Sequence, residues 1–206
     1  MANTTAASPP HKRHRITPNS DLIIIVKEIS PRIGGKTVIC IHEMEVSKEV
    51  MSKNQYFKAA LFSTYFGDTG KDSYELKKDD PAALKIWLQL LHGTLDKTSL
   101  EVDIASVWHV LVLARKYDFD ALGEGAKKWF QQWYNQRAGK LTTLHCRELI
   151  YPSYTFDSAQ AFAAITKQLA YNIDGHIQES RPTGVSEEQE EQRLRSRAIS
   201  KCRIRI

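Results

Sequence analysis

Two apolar runs separated by a glycine pair constrain the fold of this chain more than any other feature. Leu22 to Val26 is the first run, Val38 to Ile41 is the second, and Gly34-Gly35 lies between them. Runs of this kind are typical of buried strands, and paired glycines are typical of tight turns. The sequence therefore predicts an antiparallel hairpin with strands over 20–29 and 37–46. Because the first run does not alternate apolar and polar residues, we expect both faces of its strand to be covered.

The segment after this hairpin, 44–62, predicts a helical turn, a break and a second helix. The turn is expected at Lys48 to Met51, and Ser52-Lys53-Asn54 interrupts it. Asn54 is a good N-cap because its side-chain oxygen can accept a hydrogen bond from a free helix amide. The apolar residues that follow recur at helical spacing and predict an inward face: Phe57, Ala60 and Leu61. No residue here is suited to catalysis, so the segment predicts a hydrophobic corner used for binding.

One more strand and several helices are predicted further along the chain. Tyr74-Glu75-Leu76 predicts a short strand, which completes a small, mostly antiparallel sheet of three strands. Apolar residues at helical spacing, together with helix caps, predict the helices. The predicted helical segments are 80–93, 103–117, 120–133, 141–150 and 157–171. The fold class is therefore α+β, a cluster of helices capped by a small sheet and followed by a short helical extension.

Two features of the predicted helices depend on glycine and proline. Gly123 and Gly125 are expected inside the helix that starts at Asp120, where a close contact with another helix would explain them. Pro152 is expected to end the short helix that starts at Leu141. A phosphate-binding loop is not expected at these glycines, because a helix and not a strand precedes them.

Composition and charge divide the chain into four segments. Residues 1–19 hold several prolines and the cluster His11-Lys12-Arg13-His14-Arg15, and they predict a disordered basic tail. Residues 20–135 are the main predicted domain, 141–174 a helical C-terminal extension, and 175–206 a charged, disordered tail. Much of the net charge of +5 lies in the two tails. It predicts at most weak binding of nucleic acid through those tails.

Cysteine usage and hydropathy bear on the compartment. The three cysteines, Cys40, Cys146 and Cys202, are too scattered for a disulfide framework or a CxxC metal motif. The N-terminus lacks the apolar core of a signal peptide, and no apolar run approaches the ~18–20 residues that span a bilayer. We therefore expect a cytoplasmic or nuclear protein that is not secreted and has no membrane contact.

Sequence patterns for catalysis and for metal binding are missing. GxSxG, HExxH and Walker motifs do not occur. Cys40 and His42 share one face of a strand, but no second pair of ligands stands at zinc spacing. His145 and Cys146 diverge by about 100° on a helix, so a structural role is favoured over a nucleophile and base. We predict no enzyme activity, no cofactor, no metal and no small-molecule substrate. The tryptophans are predicted to be core residues and not base-stacking platforms: Trp87, Trp108, Trp129 and Trp133.

Several short motifs, in order along the chain, resemble the BTB/POZ domain in the short form common in fungal proteins. The likeness is strongest at Val46-Ser47-Lys48-Glu49-Val50-Met51 and at Tyr56-Phe57-Lys58-Ala59-Ala60. It continues at Leu90-Leu91-His92-Gly93-Thr94-Leu95, where the family typically has Leu-Tyr-Thr-Gly. It closes with Leu113-Ala114-Arg115-Lys116-Tyr117-Asp118, which is similar to the family's Leu-Ala-Asp-Lys-Tyr. The resemblance covers about residues 20–135.

Two departures from the family pattern affect what the resemblance implies. Ser47 stands where the family often has a structural histidine, so some local hydrogen bonding is expected to be lost without loss of the fold. Longer members also swap an N-terminal helix between the partners of a homodimer. Residues 1–19, with Pro9, Pro10 and Pro18, do not supply such a helix.

The resemblance implies a non-catalytic module for protein–protein interaction. Members of the family self-associate, bind cullin scaffolds of ubiquitin ligases as adaptors, or recruit partners in transcription. Adaptors carry a hydrophobic-x-Glu motif after the second helix, and the match here is Phe66-Gly67-Asp68 after Tyr65. Tyr65, Phe66 and Asp68 are therefore the expected partner-binding residues. The alternative is a nuclear, chromatin-associated regulator that combines self-association with basic tails.

Overall fold

The computed structural model describes residues 8–32, 35–62, 72–120, 123–173 and 175–185. These residues form seven α-helices and one four-stranded sheet, an α+β architecture. The chain divides into two compact units, Met1–Leu95 and Asp96–Ile206. The elements of the first unit are β1 (His11–Arg15), β2 (Leu22–Arg32), β3 (Gly35–Val46), α1 (Lys48–Met51), α2 (Gln55–Phe62), β4 (Ser73–Leu76) and α3 (Pro81–His92).

The predicted hairpin forms the centre of the sheet. The strands run in the order β1-β3-β2-β4, with β2 antiparallel to β3 and each edge strand parallel to its neighbour. The pairing begins with Leu22 opposite Val46, and the register shifts by a bulge between Glu28 and Ile29. The two glycines of the predicted turn lie partly outside the described residues. The antiparallel pairing itself confirms the prediction from the two apolar runs.

The prediction of a three-stranded sheet is wrong, because residues 11–15 add a fourth strand. β1 lies along the free edge of β3 and continues its hydrogen bonds: the Ile41 amide donates to Pro10 O at 2.9 Å, and the Ile16 amide donates to Glu45 O at 3.0 Å. The expected disorder of residues 1–19 is therefore wrong for this strand. An open sheet edge offers unpaired backbone groups, and they accept a polar strand as readily as an apolar one.

The two faces of the sheet differ in burial. The residues on one face are buried, namely Leu22, Ile24, Val26, Met44 and Val46, and α3 packs against β2 and β3. On the opposite face Ile23, Ile25 and Ile41 are only partly buried. The expectation that both faces of β2 are covered is thus wrong for the second face. The continuous apolar run did not distinguish the two faces of β2, because isoleucines also occur on partly exposed strands.

The helix boundaries of the first unit follow their predicted capping residues. Asp80 Oδ1 accepts a hydrogen bond from the Ala83 amide at 2.7 Å, and Pro81 occupies the first helical position of α3. Gly93 ends this helix with a φ of 65°, a conformation that side chains other than glycine resist. These residues confirm the predicted bounds of this helix.

Four helices make up most of the described part of the second unit. They are α4 (Ile104–Tyr117), α5 (Glu124–Asn135), α6 (Thr143–Thr155) and α7 (Ala159–Asn172), with short 3₁₀ turns at Lys97–Leu100 and Ala138–Lys140. The predicted C-terminal extension is therefore helical, and it belongs to the same compact unit as α4 and α5. The predicted core role of the four tryptophans is confirmed, because Trp87 of the first unit and Trp108, Trp129 and Trp133 of the second are all buried.

Two predicted details of these helices are wrong for identifiable reasons. Gly123 is the N-cap of α5, so the helix begins at Glu124, after Asp120. A Cβ at this glycine would lie 2.9 Å from Asp120 Oδ2, so the close approach is to the preceding loop and not to another helix. Pro152 does not end α6, which continues to Thr155 with the proline buried inside it.

The helix tolerates Pro152 because another donor replaces the amide hydrogen that proline lacks. In a regular helix residue 152 would donate to Glu148 O. Here the indole Nε1–H of Trp108, from α4, donates to that oxygen at 2.8 Å. The Trp108 ring also lies 4.9 Å from the Tyr151 ring, centroid to centroid. The proline therefore leaves no unpaired acceptor at this carbonyl.

Candidate interaction surfaces

The predicted partner-binding residues lie in a segment for which we describe no structure. Tyr65, Phe66 and Asp68 follow α2 in the sequence and precede β4, and all three are outside the described residues. Their role in binding a partner stays a prediction. The backbone of the corner that leads into this segment, 44–62, lies within the described residues.

Buried side chains and capping bonds hold the corner in place. The side chains of Met51 and Phe57 are fully buried. Asn54 Oδ1 accepts a hydrogen bond from the Phe57 amide at 3.1 Å, which confirms the predicted N-cap of α2. Ser47 caps α1 with a longer bond, 3.5 Å from its Oγ to the Val50 amide. The predicted helical turn, break and second helix are confirmed.

A histidine joins this corner to the end of α3. The Ser47 amide donates to His92 Nε2 at 3.0 Å, and His92 Nδ1–H donates to Leu88 O at 2.7 Å. The two bonds require a neutral imidazole whose proton is on Nδ1. The sequence placed His92 only at a helix edge and missed this contact. The spacing of four residues between Leu88 and His92 could have predicted the bond to Leu88 O. It could not have predicted the bond to the Ser47 amide, which is distant in the sequence.

Burial lowers the pKa of His92 from its ordinary value of 6.5. Between that lowered pKa and 6.5 the unfolded chain binds more protons than the folded chain. The contribution to stability is therefore complete above about pH 6.5 and decreases as the pH falls through the folded pKa. We expect the urea midpoint of the native chain to decrease between about pH 7.5 and about pH 5, and to decrease less in His92→Gln.

A second histidine, His14, is expected to contribute to the same pH dependence. Burial, followed by the charges of His42, Lys85 and Lys12, also lowers the pKa of His14. His14→Gln should therefore also reduce the dependence of the urea midpoint on pH, and the double variant of His14 and His92 should reduce it further. An identical slope in the native chain and in His92→Gln would contradict the role of His92.

The partly exposed face of the sheet carries an isoleucine patch bordered by ion pairs. On one side of Ile23 and Ile25, β1 and β3 contribute opposite charges, with Arg13 donating two hydrogen bonds of 3.2 Å to Glu43. On the other side Lys27 Nζ contacts Glu75 at 2.9 Å. We call Ile23, Ile25 and Ile41 with these flanking pairs the open sheet face. Apolar residues at the centre and charges at the rim are the arrangement of a protein-binding surface.

Two residues of the basic cluster of β1, His11 and Arg13, are engaged in this face. Besides Arg13, His11 Nδ1 lies 3.1 Å from Glu43 Oε1. The hydrogen bonds from His11 and then Arg13 lower the pKa of the Glu43 carboxyl. Arg13 Nε is also 3.6 Å from Glu45 Oε1. A side chain that is paired in this way offers less positive charge to a phosphate.

A cleft of about 420 Å³ lies on the second unit. Charged residues of both signs line it, including Asp103, Arg137, Lys140 and Glu148. Arg137 is committed to the protein, because its guanidinium lies 4.6 Å from the Trp133 ring centroid and donates to Val102 O at 3.1 Å. Burial raises the pKa of Glu148. Mixed charge and a committed arginine do not specify a ligand.

His145 and Cys146 both contribute to the structure of α6. His145 completes a capping box, since its Nδ1 accepts from the Thr142 amide at 3.3 Å and its own amide donates to Thr142 Oγ1 at 3.2 Å. Cys146 is fully buried, and burial raises its thiol pKa. A buried thiol of this kind is not a nucleophile at neutral pH. The structural role favoured by the sequence is confirmed for both residues.

Helices α6 and α7 expose several large side chains. Tyr171 is 81% exposed, and Leu144 and Tyr154 are about half exposed. The Tyr154 ring lies 6.3 Å from the Phe162 ring, centroid to centroid. These residues add exposed aromatic surface to the second unit.

Comparison with protein-family models and with curated proteins found no match to this chain. The resemblance to the BTB/POZ domain therefore rests on the short motifs in the chain itself. Within the described ranges, no helix is both long and apolar enough to cross a lipid bilayer.

Proposed function

We propose that this chain is a non-catalytic protein–protein interaction module of the BTB/POZ type, acting in the cytoplasm or nucleus. One observation carries the proposal: the Ser47 amide donates to His92 Nε2 at 3.0 Å. Two segments quoted for the resemblance, 46–51 and 90–95, are thereby in contact. The contact uses the backbone amide of Ser47 and a histidine where the family typically has threonine, so it supports the proposal through the proximity of the two segments and not through matching side chains.

The order of elements in the first unit also supports this class. The hairpin of β2 and β3 is followed by α1, α2, β4 and α3, which is the succession expected from the resemblance. The polar groups of the corner are used in helix capping and in the contact to His92. The open sheet face then provides surface for partners.

The adaptor form of the proposal assigns partner binding to the segment after α2. Phe66 would fill a pocket of a cullin scaffold, while Asp68 would pair with a basic side chain of that partner. An aromatic anchor beside a charge is the usual composition of a binding hot spot. Tyr65 would widen the apolar contact.

A binding assay with purified protein tests the adaptor form. The full chain and a cullin N-terminal domain are titrated in a calorimeter, and the native chain is expected to bind. Phe66→Ala should raise the dissociation constant about 30-fold, which corresponds to the loss of ~2 kcal/mol at a hot spot. Asp68→Asn should weaken binding less, and its effect should shrink at high salt.

Tyr171→Ala is the matched control, because it removes an aromatic ring that is 81% exposed on α7. This variant should bind the cullin domain as the native chain does. No binding by the native chain, or equal loss in both aromatic variants, would refute the adaptor form. Sedimentation velocity on the same samples measures self-association, which the broader proposal allows without a cullin partner.

The nuclear regulator remains a weaker proposal because of the contacts of β1. Arg13 is paired with Glu43 and lies near Glu45, so part of the basic cluster is neutralised within the sheet. A chain that used this cluster on nucleic acid would have to break those pairs. Its affinity would fall steeply with salt and would be lost on removal of residues 1–19 and 192–206.

A further inference from the structure

Three side chains that can bind a transition metal meet on one face of the hairpin. Cys40 and His42 are two residues apart on β3, so their side chains point to the same face. Glu28 of β2 stands opposite Cys40 in the sheet register, which brings its carboxyl to that face as well. The candidate ligand atoms of the three residues all lie within 4.8 Å of one another.

One pair of these atoms is already close to the separation of two zinc ligands. His42 Nε2 lies 3.1 Å from Glu28 Oε2. In a tetrahedral site with bonds of about 2.0–2.3 Å, neighbouring ligand atoms are roughly 3.3–3.6 Å apart. The Cys40 sulfur lies within 4.8 Å of both atoms, so it would have to move about 1 Å closer to reach the spacing of a zinc site. Cys40 and His42 are buried, whereas the Glu28 side chain is 41% exposed and leaves a path for an ion.

A second histidine holds the first one in orientation. His14 Nε2, from β1, lies 3.1 Å from His42 Nδ1, and the two rings are within 2° of parallel. A metal-binding histidine almost always donates its other ring N–H to a neighbouring acceptor. His14 occupies that position. His42 can therefore present Nε2 to an ion while its Nδ1–H donates to His14 Nε2.

We propose that Glu28, Cys40 and His42 bind a divalent cation of the zinc class, with His14 as the residue that positions His42. Thiolate, carboxylate and imidazole are the ligand types that zinc takes in proteins. One thiolate and one carboxylate balance the two charges of the ion. Cys40 binds as the thiolate, and its proton passes to the solvent.

The proposed site would connect three strands at the end of the sheet. Glu28 belongs to β2, Cys40 and His42 belong to β3, and His14 belongs to β1. Three protein ligands leave a fourth position for water. This inference goes beyond the proposed interaction function and does not depend on it, because the three ligands lie on the face of the sheet opposite the open sheet face.

Metal titration of the chelator-treated full chain tests the site. Zn²⁺ is titrated in a calorimeter, and Co²⁺ serves as a spectroscopic probe because a cobalt–thiolate bond produces a charge-transfer absorption. The native chain should bind one equivalent of each ion and show that absorption. Cys40→Ser should lose the absorption, whereas Cys146→Ser, which changes the other buried cysteine of the described residues, should keep it.

Two further variants separate the metal site from a loss of folding. Glu28→Gln changes a partly exposed side chain, so the chain should keep its native circular dichroism while zinc affinity falls at least about 10-fold. His14→Phe should weaken zinc binding ~10–100-fold, the effect usual for a residue behind a ligand. It should keep the cobalt–thiolate absorption, because Cys40 is unchanged.

Absence of stoichiometric zinc binding by the native chain would overturn the proposal. Zinc binding that is unaltered in both Cys40→Ser and Glu28→Gln would overturn it too, since the ion would then be held adventitiously by other histidines. In either case His14, His42 and Glu28 would form a chain of hydrogen bonds that binds no metal.

Discussion

Trp108→Phe should lower the free energy of unfolding by about 2–4 kcal/mol, although phenylalanine is also a large apolar residue. Trp108 is buried, and its indole N–H donates to Glu148 O at 2.8 Å. The substitution removes this donor and part of the ring. A buried carbonyl oxygen is left without a partner, which accounts for roughly 1–3 kcal/mol of the loss. Urea unfolding of the full chain, followed by circular dichroism, measures the change.

The size of this effect depends on Pro152. Proline has no amide hydrogen, so Glu148 O cannot receive its regular helical bond, and Trp108 is its donor. In Pro152→Ala an amide hydrogen returns at the helical position. The additional cost of Trp108→Phe in that background should therefore be smaller than in the native chain. We expect a coupling energy between the two sites of about 0.5–2 kcal/mol.

Trp129→Phe is the matched control for the double-mutant cycle. Its indole also donates to a backbone oxygen, that of Ser99 at 3.1 Å. The residue four positions after Ser99 is Asp103, not a proline, so this bond does not replace a missing amide. Trp129→Phe and Pro152→Ala should be additive within about 0.5 kcal/mol. Additivity of Trp108→Phe with Pro152→Ala as well would show that the tryptophan does not replace the missing amide.

Local patterns predicted most of the secondary structure. The capping residues Asn54 and Asp80, the glycine at position 93 and the apolar spacing of the helices are short-range signals, and the structure follows them. The exception at Pro152 has a long-range cause. The donor that makes proline tolerable comes from 44 positions earlier in the sequence, at Trp108, so no local rule could identify it.

The candidate sites were harder to predict from the sequence than the secondary structure, because strand pairing brings their residues together. Cys40 and His42 were recognised as neighbours on one face, but Glu28 joins them through the register of the hairpin. His14 joins them through β1, a strand that the polar composition of the tail concealed. The contact of His92 with the Ser47 amide likewise spans 45 positions. Spacing along the chain carries no information on such pairs.

The second large loss of stability is expected on substitution of Ile16, in a segment whose composition predicted disorder. Ile16 is 4% exposed, and its amide donates to Glu45 O at 3.0 Å. Ile16→Ala should lower the free energy of unfolding by about 2–4 kcal/mol, because it leaves a cavity beside the sheet. Ile39→Ala makes the same chemical change at a side chain that is 40% exposed, and it should cost less than about 1 kcal/mol.

Removal of residues 1–16 extends this test from one side chain to the whole strand. A solvated tail can be removed without loss of stability, whereas removal of β1 would uncover the edge of β3 and take Ile16 out of the core. The truncated chain should therefore be at least as destabilised as Ile16→Ala when both are unfolded in urea. If truncation left the urea midpoint unchanged, β1 would not be part of the folded sheet in solution. The positioning role of His14 would then fail with it, while the pairing of Glu28 with Cys40 in the hairpin would remain.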